Sequence, residues 1–131
     1  MKKNIQDFVI IDDDRVNNAI CRRIINKAVP GTNVLTFNYP EEGIAYINSI
    51  SALPEENDTV LFLDINMPFL SGWEVLEALK DFPVSARQHL KIFMLSSFLD
   101  LYDKERVENS PLVSGFTDKP LTIAKVLEAI H

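Results

Sequence analysis

The sequence predicts an α/β protein in which one parallel β-sheet is covered by helices on both faces. Short apolar segments alternate with amphipathic helical segments five times along the chain, an order that is typical of parallel sheets. Three of the apolar segments lack the polar–apolar alternation of a strand with one solvent-facing side. At 131 residues, the chain is predicted to form a single domain, residues 1–131, with no second domain.

Five segments are predicted to be strands because each is short and apolar. They cover residues 8–11, 34–37, 60–63, 92–95 and 112–116. The last is the least regular, since it contains Ser114 and Gly115. The polar residues 51–58 before the third strand are predicted to form a solvated loop.

The first helix is predicted from apolar residues that recur at steps of three and four and therefore share one face. These residues are Val16, Ala19, Ile20, Ile24 and Ala28. Cys21 is the only cysteine, so the chain can form no internal disulfide. Its place on this stripe favours a buried and inert thiol over a redox role.

The other helices have comparable patterns. The second begins near Pro40, the third opens with a capping box at Ser71 and Glu74, and the fourth, about residues 100–108, is polar and sparsely anchored. The inward residues of helices two, three and five are predicted to be Ile44, Ile47 and Ile50; Val75, Leu76 and Leu79; and Ile123, Val126, Leu127 and Ile130.

Right-handed crossovers leave few topologies for such a chain. We predict the flavodoxin-like strand order 2-1-3-4-5, a doubly wound (βα)5 fold in which a ligand crevice lies beside strands one and three.

Acidic residues follow both of these strands. Asp12, Asp13 and Asp14 follow strand one, and Asp64 ends strand three. Carboxylates brought this close repel one another by roughly 1–4 kcal/mol per pair at 4 Å, and a hard divalent cation would relieve the repulsion. Mg²⁺ fits better than Ca²⁺ because the acids are few and come from separate strands. One aspartate, Asp14, is expected to cap the first helix or to face solvent.

Two further strand ends contribute other chemistry. Ser96 ends strand four, and Lys119 with Pro120 follows strand five. A hydroxyl and an ammonium opposite a carboxylate–metal site would form a receptor for phosphoryl oxygens.

Taken in order along the chain, these motifs resemble the receiver domain of two-component response regulators. The residues that carry the resemblance are Asp12 and Asp13, Asp64 with Met67, Pro68 and Gly72, Ser96, and Lys119 with Pro120. The resemblance implies that Asp64 accepts a phosphoryl group from a phosphohistidine. It implies Mg²⁺ bound by Asp12, Asp13, Asp64 and the backbone carbonyl of Asn66, with Asp12 acting largely through water.

The resemblance also implies roles for three other residues. Ser96 would bond one phosphoryl oxygen, and Lys119 would pair with another or, without phosphate, with Asp64. Phe116 occupies the aromatic switch position, which would couple the site to the surface formed by helix four, strand five and helix five. A plain core aromatic is the alternative for Phe116. The Lys119–Pro120 bond is expected to be cis.

The net charge limits the partners that we expect. The net charge of −6 argues against nucleic acid and anionic membranes, and no signal peptide or membrane span is evident, so we expect a cytoplasmic protein. The expected partners are a sensor histidine kinase or phosphotransfer protein and an unidentified downstream protein. A weak homodimer through helices four and five stays open.

We therefore predict a stand-alone response regulator that is not an enzyme with an external substrate, and that either signals to a partner protein or passes the phosphoryl group on. Two other classes remain open: a phosphorylation-independent interaction module with the same fold, and a small aspartate-nucleophile phosphatase. The phosphatase is disfavoured because such enzymes generally need an acid two residues after the nucleophile, where this chain has Asn66.

Overall fold

The computed structural model describes residues 5–50, 57–98 and 100–131. Within these ranges five strands alternate with five helices, as predicted. The strands are β1 (Ile5–Ile11), β2 (Asn33–Phe37), β3 (Asn57–Asp64), β4 (Leu90–Ser96) and β5 (Val113–Asp118). The helices are α1 (Arg15–Ala28), α2 (Pro40–Ile50), α3 (Gly72–Ala78), α4 (Leu101–Glu108) and α5 (Ile123–Ala129), and a 3-10 helix, Val84–His89, precedes β4.

The five strands form one parallel sheet in the order β2-β1-β3-β4-β5, which confirms the predicted topology. Ile11 pairs with Leu63, Asp64 with Leu95, and Ser96 with Asp118. The carboxyl ends of four neighbouring strands therefore lie along one edge, and the residues that follow them face a common crevice.

Apolar residues are buried on both faces of the sheet. Val9 and Ile11 of β1 pack in a cluster with residues of α2 and α3. Phe8 and Ile10 point the other way, into a cluster with residues of α1 and α5. The central strands are thus covered on both sides, which explains why their sequences lack alternation.

The strand ends differ from prediction. The strands β1 and β2 begin earlier than predicted, and β3 and β4 are longer than predicted at both ends. The strand β5 begins one residue later and ends two residues later than predicted. Backbone pairing accounts for this, since Asn57 and Asp58 pair with Ile5 and Gln6 and a ladder hydrogen bond does not require an apolar side chain. The loop prediction for residues 51–58 is therefore wrong at 57 and 58, and residues 51–56 lie outside those that the structure describes.

The buried face of α1 also differs from prediction. Cys21 and Ile25 are buried together with Asn18, whereas Val16 is 69% exposed and Ile20 is 46% exposed. The inward face is rotated because polar residues of the first turns turn toward the end of β1. A similar offset occurs in α5, where Ile123 and Leu127 are exposed and Val126 and Ala129 are buried.

The helices α3 and α4 agree with prediction. Ser71 and Glu74 form the capping box of α3, and Val75 and Leu79 are fully buried. In α4, Val107 is the one buried residue, so this helix is weakly anchored. No helix in the described ranges is long and apolar enough to span a membrane.

Candidate functional site

Three aspartates meet where β1 and β3 end. One carboxylate oxygen from each of Asp12, Asp13 and Asp64 lies within 4.8 Å of the others. Asp12 and Asp64 are buried and Asp13 is exposed. Asp14 takes no part in this cluster, because its carboxylate caps α1 by accepting the N–H groups of Val16 and Asn17.

Lys119 is the cation of the site. Its Nζ lies 2.9 Å from Asp12 Oδ2 and 3.4 Å from Asp64 Oδ1. The sequence-based expectation named Asp64 as its partner, but the structure places Lys119 closer to Asp12. The Lys119–Pro120 bond is cis, as expected, and the Lys119 N–H donates to the carbonyl of Ser96 at 2.8 Å. This hydrogen bond joins the loop after β5 to the end of β4.

Opposing influences act on the pKa of Asp64. Burial raises its pKa from 3.8 to about 7, with help from the charge of Asp12, while Lys119 and the N–H of Asn66 oppose the shift. Burial lowers the pKa of Lys119, but Asp12 and Asp64 outweigh it and the net pKa is raised. Lys119 therefore stays protonated between two carboxylates.

The hydroxyl of Ser96 belongs to the same crevice but is engaged elsewhere. Ser96 is buried, and its Oγ donates to the carbonyl of Phe98 at 2.6 Å and accepts the Phe98 N–H at 3.1 Å. The side chain is thus held by the loop after β4. It would have to leave these bonds to contact a group bound at Asp64.

Phe116 lies outside the core. It is 41% exposed and sits on β5, where it pairs with Met94 of β4. The alternative of a plain core aromatic is therefore wrong for this structure.

The backbone around Asp64 is tightly packed. A Cβ atom on Gly72 would lie 2.5 Å from the carbonyl oxygen of Asp64 and 2.9 Å from Cα of Ile65. Gly72 also donates its N–H to the Ile65 carbonyl at 2.8 Å. The first residue of α3 thereby rests directly on the chain segment that carries Asp64. Asn66 follows in the exposed loop.

The donor set suits a hard divalent cation. Three carboxylates offer only oxygen ligands, which Mg²⁺ prefers over the softer nitrogen and sulfur donors. Asp13 has an exposed carboxylate, and Asp64 carries a pKa that the negative charge of Asp12 helps to raise. Added positive charge would relieve this repulsion, so the residues present fit a magnesium ion.

Asn17 and Asn18 are two residues of the site that the sequence analysis did not identify. Asn17 Nδ2 donates to Asp12 Oδ2 at 2.8 Å, and Asn18 Nδ2 donates to the Asp12 carbonyl at 2.9 Å. Two consecutive polar residues about one helical turn after the aspartates could have indicated this role. The prediction of the buried face used the neighbouring apolar residues instead.

The strand order and the residues gathered at the carboxyl ends of the strands agree with the resemblance to a receiver domain. The chain matches the family model described as response regulator receiver domain over residues 8–131. It therefore belongs to the receiver domain family of two-component response regulators.

Individual relatives agree with this assignment. The crystal structure of a response regulator receiver protein from Dyadobacter fermentans is 31% identical with a TM-score of 0.82, covering 94% of this chain and 93% of that one. A two-component response regulator from Cytophaga hutchinsonii is 26% identical with a TM-score of 0.85, covering 98% and 96%.

Curated relatives differ in length from this chain. The sensory/regulatory protein RpfC of Xanthomonas campestris is 25% identical over 123 residues, which are 94% of this chain and 16% of RpfC. The chain thus spans less than a fifth of that relative. Two-component response regulator 24 of Arabidopsis thaliana is 24% identical over 94% of this chain and 80% of its own length.

Proposed function

We propose that this receiver domain is a phosphorylatable signalling switch in which Asp64 accepts a phosphoryl group from a phosphohistidine. The observation that carries the proposal is the position of Asp64 at the end of β3, beside Lys119 and two further carboxylates. The donor would be a sensor histidine kinase or a phosphotransfer protein.

The transfer is a substitution at phosphorus. An oxygen of the Asp64 carboxylate forms the new O–P bond as the P–N bond to the donor imidazole breaks. The electron pair of that bond returns to the imidazole nitrogen. The product is an aspartyl phosphate, and no external substrate is turned over, so we regard the protein as a phosphoacceptor and not as an enzyme.

The other residues stabilise the charge of the phosphoryl group. Asp12, Asp13, Asp64 and the backbone carbonyl of Asn66 would hold Mg²⁺, with Asp12 acting largely through water. When bound, the ion would offset the negative charge of the phosphoryl oxygens. Lys119, already 3.4 Å from Asp64 Oδ1, would pair with one of those oxygens.

Signal output would begin at Ser96. A phosphoryl oxygen competes with the Phe98 backbone for the Ser96 hydroxyl, and a charged acceptor forms the stronger hydrogen bond. If Ser96 turns toward Asp64, the loop after β4 shifts and Phe116 can move inward. The surface of α4, β5 and α5 would change accordingly. A downstream partner would recognise that surface.

An intact-mass experiment tests the proposal. The protein is incubated with Mg²⁺ and acetyl phosphate, with Asp64→Asn as the variant and Asp81→Asn, an exposed aspartate distant in sequence, as its matched control. We expect one phosphate on the wild type and on Asp81→Asn, and none on Asp64→Asn or without Mg²⁺.

Other outcomes would favour other functions. Continuous release of inorganic phosphate with turnover would indicate a phosphatase. If neither acetyl phosphate nor a phosphorylated histidine kinase labels the protein, and Mg²⁺ does not bind, the interaction module would replace the proposed function.

A further inference from the structure

Two consecutive asparagines of α1 hold opposite ends of Asp12. Asn17 donates its side-chain amide to the carboxylate of Asp12 at 2.8 Å. Asn18 donates to the main-chain carbonyl of Asp12 at 2.9 Å and to Asn38 Oδ1 at 2.6 Å. Two consecutive residues of α1 therefore hold both the side chain and the backbone of one buried aspartate.

The geometry of Asn18 indicates that this residue is not optimised for stability. Asn18 is 3% exposed, and its Oδ1 has no hydrogen-bond partner among the described residues. A buried unpaired acceptor costs on the order of 1–3 kcal/mol. An apolar residue at this inward position of α1 would avoid that cost. What Asn18 provides in return is its hydrogen bond to the carbonyl of Asp12 at the end of β1.

Asn17 acts on the same oxygen as Lys119. Asp12 Oδ2 accepts Asn17 Nδ2 at 2.8 Å and Lys119 Nζ at 2.9 Å, while Asp12 Oδ1 accepts the N–H of Asp14 at 2.9 Å. A carboxylate has about four acceptor sites, and three are used here. These contacts restrain the rotation of the Asp12 carboxylate. The position of Lys119 between Asp12 and Asp64 depends on that fixed carboxylate.

We propose that Asn17 is a positioning residue of the acidic site. Its amide fixes the direction of the Asp12 carboxylate, and through it the ammonium of Lys119, without adding charge to the cluster. The inference deepens the proposed function, because it concerns the same Mg²⁺ and phosphoryl site. Substitution of a residue that hydrogen-bonds to a metal-binding carboxylate typically lowers metal affinity or activity by about 10–100-fold.

Two substitutions at Asn17 separate hydrogen bonding from packing. Asn17→Ala removes the amide and its volume, whereas Asn17→Leu keeps a similar shape and removes only the hydrogen bond. Asn26→Ala is the matched control, because Asn26 is an exposed asparagine of the same helix. Each protein is measured by Mg²⁺ titration calorimetry, by its rate of phosphorylation by acetyl phosphate at saturating Mg²⁺, and by thermal melting.

We expect both Asn17 variants to bind Mg²⁺ about tenfold more weakly than the wild type, and to be phosphorylated more slowly at saturating Mg²⁺. Asn26→Ala should match the wild type in both measurements. The melting temperatures should not parallel the Mg²⁺ affinities, since leucine at position 17 favours the helix and fills the space of the asparagine side chain. Wild-type Mg²⁺ affinity in Asn17→Leu would overturn the proposal.

The measurements distinguish this inference from the proposed function. If the wild type binds Mg²⁺ but accepts no phosphoryl group, the proposed function fails and calorimetry still tests the role of Asn17. If the wild type accepts phosphate and Asn17→Leu matches it in Mg²⁺ affinity, the positioning role fails alone. If the wild type binds no Mg²⁺, there is no metal site for Asn17 to position and the inference is overturned.

Discussion

Asp64 combines two properties: it is buried, and it lies beside both a like charge and a cation. Burial and the charge of Asp12 raise its pKa to about 7, and Lys119 keeps the shift from being larger. The ionised form is therefore costly near neutral pH when no metal is bound. A residue under this constraint gains most from ligands that bring positive charge, which agrees with a role in Mg²⁺ and phosphoryl binding.

The raised pKa predicts a pH-dependent gain in stability for Asp64→Asn without Mg²⁺. The folded state binds the Asp64 proton more tightly than the unfolded state, so the wild type loses stability as pH rises from about 4 to about 7. Asparagine removes that loss. We expect Asp64→Asn to be more stable by about 2–4 kcal/mol at pH 8, from about 1.4 kcal/mol per pKa unit, with the gain disappearing near pH 4.

Urea unfolding at several pH values in the presence of EDTA measures this difference. Asp81→Asn, a change at an exposed aspartate, should show no such pH dependence. A gain for Asp64→Asn that is equal at pH 4 and pH 8, or a loss at pH 8, would contradict the account of Asp64.

At the scale of elements, α3 and α4 connect the site to the rest of the molecule. The first residue of α3, Gly72, packs on the backbone of Asp64. The next residue, Trp73, donates its indole N–H to Asp103 of α4 at 3.2 Å, and the Arg106 guanidinium lies 4.3 Å from its ring centroid. The helix α4 has the single buried residue Val107, and these polar and cation–π contacts attach it to α3.

The close approach of Gly72 predicts that Gly72→Ala is destabilising. The new Cβ would meet backbone atoms at 2.5 and 2.9 Å, and these cannot move without shifting β3 or α3. We expect a loss of about 1–3 kcal/mol, together with slower phosphorylation of Asp64. Gly115→Ala is the matched control, because its Cβ would meet only the Phe93 ring, at 3.5 Å. Equal stability of the two variants by urea unfolding would refute the argument.

The contacts of Trp73 predict an optical signal for movement of α4. Trp73 is the only tryptophan, so its emission reports directly on Asp103 and Arg106. We expect phosphorylation of the wild type to change the emission of Trp73, and acetyl phosphate to leave Asp64→Asn unchanged. Arg106→Ala should alter the emission before phosphorylation. Complete phosphorylation by intact mass with constant emission would show that α4 keeps its contact with α3.

The whole-molecule topology could be predicted from sequence because it follows from burial. Segments such as residues 60–63 are apolar without alternation, which requires cover on both faces, and the rules for parallel sheets then leave few strand orders. The same topology brings Asp12, Asp13, Asp64, Ser96 and Lys119 to one edge, so the membership of the crevice was also predictable.

Finer features were not predictable because they depend on small distances and on competing patterns. Lys119 lies closer to Asp12 than to Asp64 by half an ångström, which no spacing in the sequence encodes. The inward face of α1 was misplaced because Val16 and Ile20 continue an apolar repeat, although the bonds of Asn17 and Asn18 to Asp12 turn a different face inward. The hydroxyl of Ser96 is directed by the Phe98 backbone, a local loop geometry.

Chemical trapping of the acyl phosphate identifies the residue that carries the phosphoryl group. Borohydride reduces an aspartyl phosphate to homoserine, so protein treated with Mg²⁺ and acetyl phosphate can be reduced, digested and sequenced by mass spectrometry. We expect homoserine at position 64, and aspartate there when Mg²⁺ is withheld. Homoserine at another aspartate, or unmodified Asp64 in protein that carries a phosphate by intact mass, would contradict it.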